Sequence, residues 1–285
     1  NMDKYKKHIM GDASEEPMPL YIIPDRKVSL ADVREGMRNH YEGTELSMTN
    51  DPGAGVYKVP YRWRPMTFKS EGREYFNERA IATQQTGFVL IAQMRSWLPD
   101  AVGGILWFGV DDANTAVLTP MYTSITEIPE CYRRGNGSMT EFSWTSAFWI
   151  HNWVANMAYN RYEPMIRDIR PVQKELEDSY VDLVKNTDAK ALELLKSSPA
   201  QATAYLTEVC GKVANEATAR WKKLGEYLLV KYMDGNVKKE KDGKFEENGY
   251  GQIVSPNFPG YSQEYYDQVA KSEEAKHLEV PKKDK

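Results

Sequence analysis

The sequence predicts an α+β fold, with an antiparallel sheet followed by a mostly helical second half. Three observations carry this. Two short apolar runs, Phe88 to Ala92 and Ile105 to Val110, are separated by Pro99-Asp100 and Gly103-Gly104, the pattern of buried strands bounded by turn residues. Beyond Ser138 the apolar residues fall at helical spacing. The chain has 285 residues, 41% of them hydrophobic, enough to bury a large core. Three segments follow: 1–137, loop-rich with the sheet; 138–233, helical cover; and 234–285, a polar C-terminal extension.

In order, residues 1–28 are polar and carry Pro17, Pro19 and Pro24, so a loose arm is expected, with Leu20 to Ile23 as a short strand. Ser29 with Asp32 three residues on is a capping box with Asp in place of Glu, and Leu30, Val33 and Met37 continue a helix to about His40. Residues 43–72 read as one long loop. Its rings, Tyr57, Tyr61, Trp63 and Phe68 with Tyr41 just before, argue for packing. The two apolar runs come next and are expected at the sheet's centre, with Arg79 and Arg95 outside the ends of the first. Asn114-Thr115 reads as a turn into a third strand, Ala116 to Leu118. Phe142, Phe148, Trp149, Trp153, Val154 and Met157 mark a helix across the sheet, which Pro164 and Pro171 should end or kink. Further helices are expected over 172–185, 189–196 and 200–233. The last has Ala204, Leu206, Val209, Val213, Trp221, Leu224, Leu228 and Leu229 inside. Lys238 to Glu247 is a solvated charged loop, and 271–285 a frayed tail.

A net charge of -4 leaves no electrostatic footprint for nucleic acid. No run reaches the roughly 18 apolar residues of a membrane span. The first residues, Asn1-Met2-Asp3-Lys4, are polar rather than a secretory leader, and such a start reads as a piece of a longer protein, which leaves the compartment open.

Chemistry is sparse. His8, His40, His151 and His277 stand in no metal-binding spacing, and there is no phosphate-binding glycine loop. Cys131 and Cys210 read as unpaired thiols. Arg133 and Arg134 beside Cys131 would lower its pKa, and a Cys131–His151 dyad is the one imaginable thiol pair. Asp111-Asp112 at the second strand's end is either a site or turn chemistry. Arg79 and Arg95, so close to a core, need partners. A substrate carboxylate or oxyanion and a structural pair with Glu78, Asp111 or Asp112 stand even.

Several stretches occur in one order: Asn77-Glu-Arg-Ala-Ile, Thr86-Gly-Phe-Val, Gln93-Met-Arg-Ser-Trp-Leu-Pro, Gly104-Ile-Leu-Trp-Phe-Gly-Val-Asp-Asp-Ala, Pro120-Met-Tyr and Phe148-Trp-Ile-His-Asn-Trp-Val-Ala-Asn, then a helix with Gln173 and Glu175. Across roughly residues 21–185 the chain resembles the dipeptidase A family. The resemblance implies a cysteine-type N-terminal-nucleophile hydrolase, built as an αββα sandwich and acting on dipeptides. In such an enzyme a processed N-terminal cysteine attacks the amide, its α-amino group serves as base, and neither metal nor cofactor is needed. On this resemblance Arg79 is the catalytic candidate, with Arg95, Asp111 and Trp107 as substrate-binding candidates. The departure is the nucleophile: the chain begins at Asn1 and has no cysteine nearby. It is therefore expected to be the C-terminal portion of such an enzyme, inactive by itself, whose partner is the missing N-terminal part. A sandwich lacking one part leaves apolar surface exposed, or hidden by self-association into a homo-oligomer. The alternative is a non-catalytic domain whose aromatic cleft holds a peptide or glycan, and a third reading is a hydrolase using Cys131.

Overall fold

A computed structural model of the chain describes residues 3–12, 18–60, 62, 65–254, 257–272 and 277–280. Tyr61 and Trp63 of the aromatic loop, Pro17, and most of the expected frayed tail lie outside the described residues. The elements run α1 (Lys6–Ile9), α2 (Leu30–Met37), β1 (Thr67–Ser70), β2 (Arg73–Phe76), β3 (Phe88–Met94), α3 (Asp100–Gly103), β4 (Gly104–Val110), β5 (Thr119–Tyr122), α4 (Ala147–Asn160), α5 (Tyr162–Leu195), α6 (Pro199–Tyr232), β6 (Glu240–Lys241), β7 (Lys244–Phe245) and α7 (Gln263–Lys271).

The two apolar runs pair as expected. Strands β3, β4 and β5 form an antiparallel sheet in that order, with Ile91 opposite Trp107 and Ile105 opposite Tyr122. The centre belongs to β4, however, and β3 is an edge. The third strand lies at Thr119–Tyr122 rather than at Ala116 to Leu118, because the Leu118 N–H donates 3.1 Å to Glu177 Oε1 on α5 and not to a neighbouring strand. One sheet face, with Val89, Ile91, Trp107 and Tyr122, is buried. Tyr122 on this face hydrogen-bonds Asp188 of α5 at 2.6 Å, and Arg34 of α2 lies over Trp107. Along the free edge of β5 runs α6, where the Tyr122 N–H donates to Cys210 Sγ and Sγ donates to the Pro120 carbonyl, both at 3.4 Å. The other sheet face is covered only in part. Phe108 packs edge-on to Tyr132 at 5.1 Å, while Phe88, Leu90 and Met94 of β3 stand 63%, 41% and 62% exposed.

Ser29 caps α2 through the anticipated box: its Oγ accepts from the Asp32 N–H, and its own N–H donates to the Asp32 carboxylate. Leu20 to Ile23 makes no strand; its residues are exposed and no strand pairs with them among the described residues. The end of the expected 43–72 loop is a hairpin, β1 with β2, turned by Glu71-Gly72, both at positive φ as in a type I′ hairpin turn. Phe142 precedes α4, which starts at Ala147.

The prolines do not act as breakers. Helix α4 ends at Asn160, before either. Pro164 sits in the first turn of α5, where its missing N–H has no helical acceptor to lose, and α5 runs unbroken through Pro171 to Leu195. The expected gap between helices at 186–188 is helical because Thr187 is buried and Asp188 holds Arg95. Helix α6 buries Ala202, Leu206, Cys210, Ala214, Trp221, Leu224 and Leu228, whereas Ala204 and Leu229 face solvent. Gly225 permits the crossing with α4: a Cβ there would lie 2.4 Å from the Trp153 ring.

Candidate functional site

At the end of the β3–β4 hairpin the chain passes from Val110 into Asp111, which takes a left-handed conformation at φ 68° while its N–H donates 2.9 Å to the Gly87 carbonyl. This conformation is uncommon outside glycine, and Asp and Asn tolerate it best. It turns the Asp111 side chain into the protein, where the residue is 1% exposed. Oδ1 accepts 2.8 Å from Asn152 Nδ2 of α4, and Oδ2 has no hydrogen-bond partner among the described residues. Burial pushes the carboxyl up to about 7, against the hydrogen bonds from Asn152 and from the Asp112 backbone and with a smaller push from the Asp112 charge.

Helical spacing extends the contact. Phe148, Asn152 and Asn156 share one face of α4 at intervals of four. Asn156 Nδ2 donates 3.0 Å to Asn152 Oδ1, and Gln84 Nε2 donates 2.9 Å to Asn156 Oδ1. A ladder of amides thus leads from exposed Asn156 to the buried Asp111. Gln84 belongs to a loop closed by the Thr86 hydroxyl, which donates 2.7 Å to the Thr83 carbonyl; Arg79 Nη2 reaches Thr83 Oγ1 at 3.4 Å.

Beside the ladder lies a cavity of about 340 Å³, lined by Phe108, Val110, Cys131, Tyr132, Phe148 and Trp149 among others. Val110 immediately precedes Asp111, and Phe148 is one turn before Asn152. The volume falls at the lower end of small-molecule pockets.

Arg79 is thus connected to Asp111 indirectly, through Thr83, the loop that carries Gln84 and the amide ladder, and Arg95 and Trp107 lie elsewhere. Arg95 lies just beyond the opposite end of β3, 8% exposed. Its guanidinium pairs with Asp188 and donates to the Val102 and Gly103 carbonyls. Trp107 is buried and donates 3.0 Å to Gln93. Both line a separate cavity of about 560 Å³ with Arg34. The acid pair divides likewise. Asp112 is turn chemistry, accepting from the Thr115 N–H and hydroxyl and, at 3.0 Å, from Tyr159. Asn152 and Gln84 belong to this candidate site and residue types alone did not single them out; the available signal was three asparagines, Asn152, Asn156 and Asn160, spaced four apart on a mostly apolar helix.

Neither thiol is activated. Burial pushes the Cys131 thiol up despite Arg133 and Arg134, because Arg133 is spent on Glu130 at 3.3 Å and both arginines are exposed. Cys210 is pushed up to about 11 by burial. His151, the imagined base, stacks on Trp221 at 5.0 Å with Nδ1 unpartnered, and burial pushes it down to about 3. A thiolate is the nucleophilic form, so these groups do not make a working dyad. Among the described residues no group of three or more His, Cys, Asp or Glu is placed to hold a metal ion, and no helix is long and apolar enough to cross a membrane.

Fold and site together describe an α+β protein with a buried, protonatable carboxyl, an amide ladder and an adjoining apolar cavity. Residues 2–175 match peptidase family C69, and the chain belongs to that family, as the ordered motifs anticipated. It is 26% identical over 233 residues to a probable dipeptidase B of Lactococcus lactis, covering 79% of this chain and 44% of that protein. A probable dipeptidase of Latilactobacillus sakei is 27% identical over 220 residues, 75% of this chain and 41% of the relative. Dipeptidase A of Lactobacillus helveticus is 22% identical over 172 residues, 60% of this chain and 30% of the relative. The chain spans less than half the length of each of these curated relatives.

Proposed function

We propose that this chain is part of a cysteine-type dipeptidase, that it hydrolyses the peptide bond of dipeptides as a component of the longer enzyme, and that its nucleophilic thiol is supplied from outside these 285 residues. The carrying observation is the polar cluster at Asp111 next to a cavity of about 340 Å³, together with two cysteines whose thiols burial pushes up, away from the nucleophilic thiolate. Such a site orients and stabilises; it does not attack. The half-covered sheet supports the αββα reading: a second sheet laid about 10 Å over Phe88, Leu90 and Met94 would bury them.

In this reading the thiol gives up its proton and the thiolate attacks the scissile carbonyl; the C–N bond breaks as the departing amine takes that proton, and water then hydrolyses the thioester to free the thiol. Asn152 uses one Nδ2 proton on Asp111 and has a second to offer a substrate oxygen. Arg79 stabilises the negative charge that develops on the carbonyl oxygen. Asp111 holds Asn152 in place. Arg95 and Trp107 hold the far end of the sheet against α5 and α2.

The test is to express the 285 residues alone and joined to the polypeptide encoded upstream, and to assay dipeptide hydrolysis. The joined protein is expected to be active, with Arg79→Ala lowering kcat by about 10²–10³-fold, the usual loss for one oxyanion donor. Hydrolysis by the 285 residues alone would overturn the proposal.

A further inference from the structure

The apolar cavity beside the ladder has a charged rim. Arg133 and Arg134 both border it, in the loop that connects Tyr132 to Gly137. The first is engaged, pairing with Glu130 and donating to the Ile128 carbonyl at 3.5 Å. Arg134 is exposed and makes no ion pair or hydrogen bond with the described residues. The loop itself is fixed. Asn136 donates 3.1 Å to the Glu130 carbonyl and accepts from Ser143 at 2.6 Å and Thr145 at 3.0 Å, and Trp149 Nε1 donates 3.0 Å to the Ser138 carbonyl. An unpaired guanidinium is thus held on a braced loop at the mouth of an aromatic-lined cavity.

That arrangement is complementary to a short molecule with a carboxylate at one end and a bulky apolar group beside it. Resting on the reading of this site as a peptide-bond hydrolase, we propose that Arg134 binds the free α-carboxylate of the dipeptide while the C-terminal side chain enters the cavity among Phe108, Tyr132, Phe148 and Trp149. The planar guanidinium fork matches a carboxylate in two parallel hydrogen bonds. The cavity rewards an aromatic or large aliphatic C-terminal residue and leaves an acidic one without a partner. Preference for dipeptides over longer peptides follows from the same contact, since a longer chain continues where the carboxylate would bind.

The experiment titrates the 285-residue protein with Ala-Phe, Ala-Phe amide and Ala-Asp, following the indole N–H resonance of Trp149, assigned by its loss in Trp149→Phe. Ala-Phe is expected to shift it and to bind about tenfold more weakly to Arg134→Gln, with Arg134→Lys between the two. Ala-Phe amide is expected to bind the parent as weakly as Ala-Phe binds Arg134→Gln, and to be indifferent to the substitution. Ala-Asp is expected to bind more weakly than Ala-Phe to every variant. Equal binding of Ala-Phe to parent and Arg134→Gln, or no shift with any of the peptides, overturns the inference. Hydrolysis by the longer polypeptide is read separately. A carboxylate site without hydrolysis refutes the dipeptidase reading alone, and hydrolysis indifferent to Arg134 refutes this one alone.

Discussion

Asp111 holds an acid in a place that suits an amide. Its pKa, raised to about 7, has burial as its first cause, and its Oδ2 has no side-chain partner among the described residues. Because folding raises this pKa from its ordinary 3.8, the folded protein holds the proton more tightly than the unfolded chain. The associated stability is fully present below about pH 4 and is lost as pH rises through about 7. Asp111→Asn keeps an acceptor for Asn152, tolerates the left-handed backbone and has no charge to bury. It should abolish this pH dependence and leave the variant more stable than the parent at alkaline pH, by at most roughly 4 kcal/mol. Urea unfolding of both proteins near pH 5 and near pH 8 measures it. An identical pH dependence in parent and variant would show that the carboxyl is not held protonated.

Between elements, the strongest link is Glu177 of α5. Its carboxylate takes Arg38 at 2.8 Å and Arg34 at 3.2 Å from α2 and the Leu118 N–H from the approach to β5, all buried. Glu177→Ala leaves Arg34 in the core without a counter-charge and Arg38 with only the exposed Glu35, at 3.1 Å, and should cost roughly 3–5 kcal/mol, read as a lower urea midpoint. A loss near that of an exposed glutamate, such as Glu175, would mean that water reaches the pair. The comparison also marks what sequence can reveal. The sheet runs at Phe88 and Ile105, the Ser29 cap and the body of α6 were legible because their signals are local: apolar density, a capping oxygen, a helical period. Glu175, in a stretch that carries the family resemblance, is exposed, whereas Glu177 two residues on is the tether, hidden from a local reading because its partners lie 139 and 143 positions away. Pro171 was misread for a similar reason, since packing along Ile169, Gln173 and Glu177 holds the helix across it. At the site, Arg79 and Asp111 were visible as charged residues near strands. The amide ladder was not, because Gln84 and Asn156 meet only after the hairpin and α4 have packed.

For the molecule as a whole, the sheet is finished on one side and unfinished on the other. Helices α2 and α5 cover one face and α6 closes the β5 edge, while the outer edge of β3 has no strand paired to it among the described residues and its Phe88, Leu90 and Met94 are exposed. An exposed apolar edge strand is a template for another chain. Two occupants satisfy it: the remainder of the longer enzyme, or a second copy of this chain. In the isolated chain only the second is present, so its weight-average mass in sedimentation should rise with concentration and rise further in sulfate, which strengthens apolar burial. Leu90→Lys places a charge at the middle of the edge and should shift the population to monomer, with a stability change of about 0.5 kcal/mol or less, since the side chain is not in the core. Joining the upstream polypeptide should suppress association as the lysine does, by covering the same surface. A parent chain that sediments as one monomer at every concentration, in sulfate as in chloride, would show that three exposed apolar side chains on an open edge are too few to recruit a partner, and would remove the sheet's support for the sandwich.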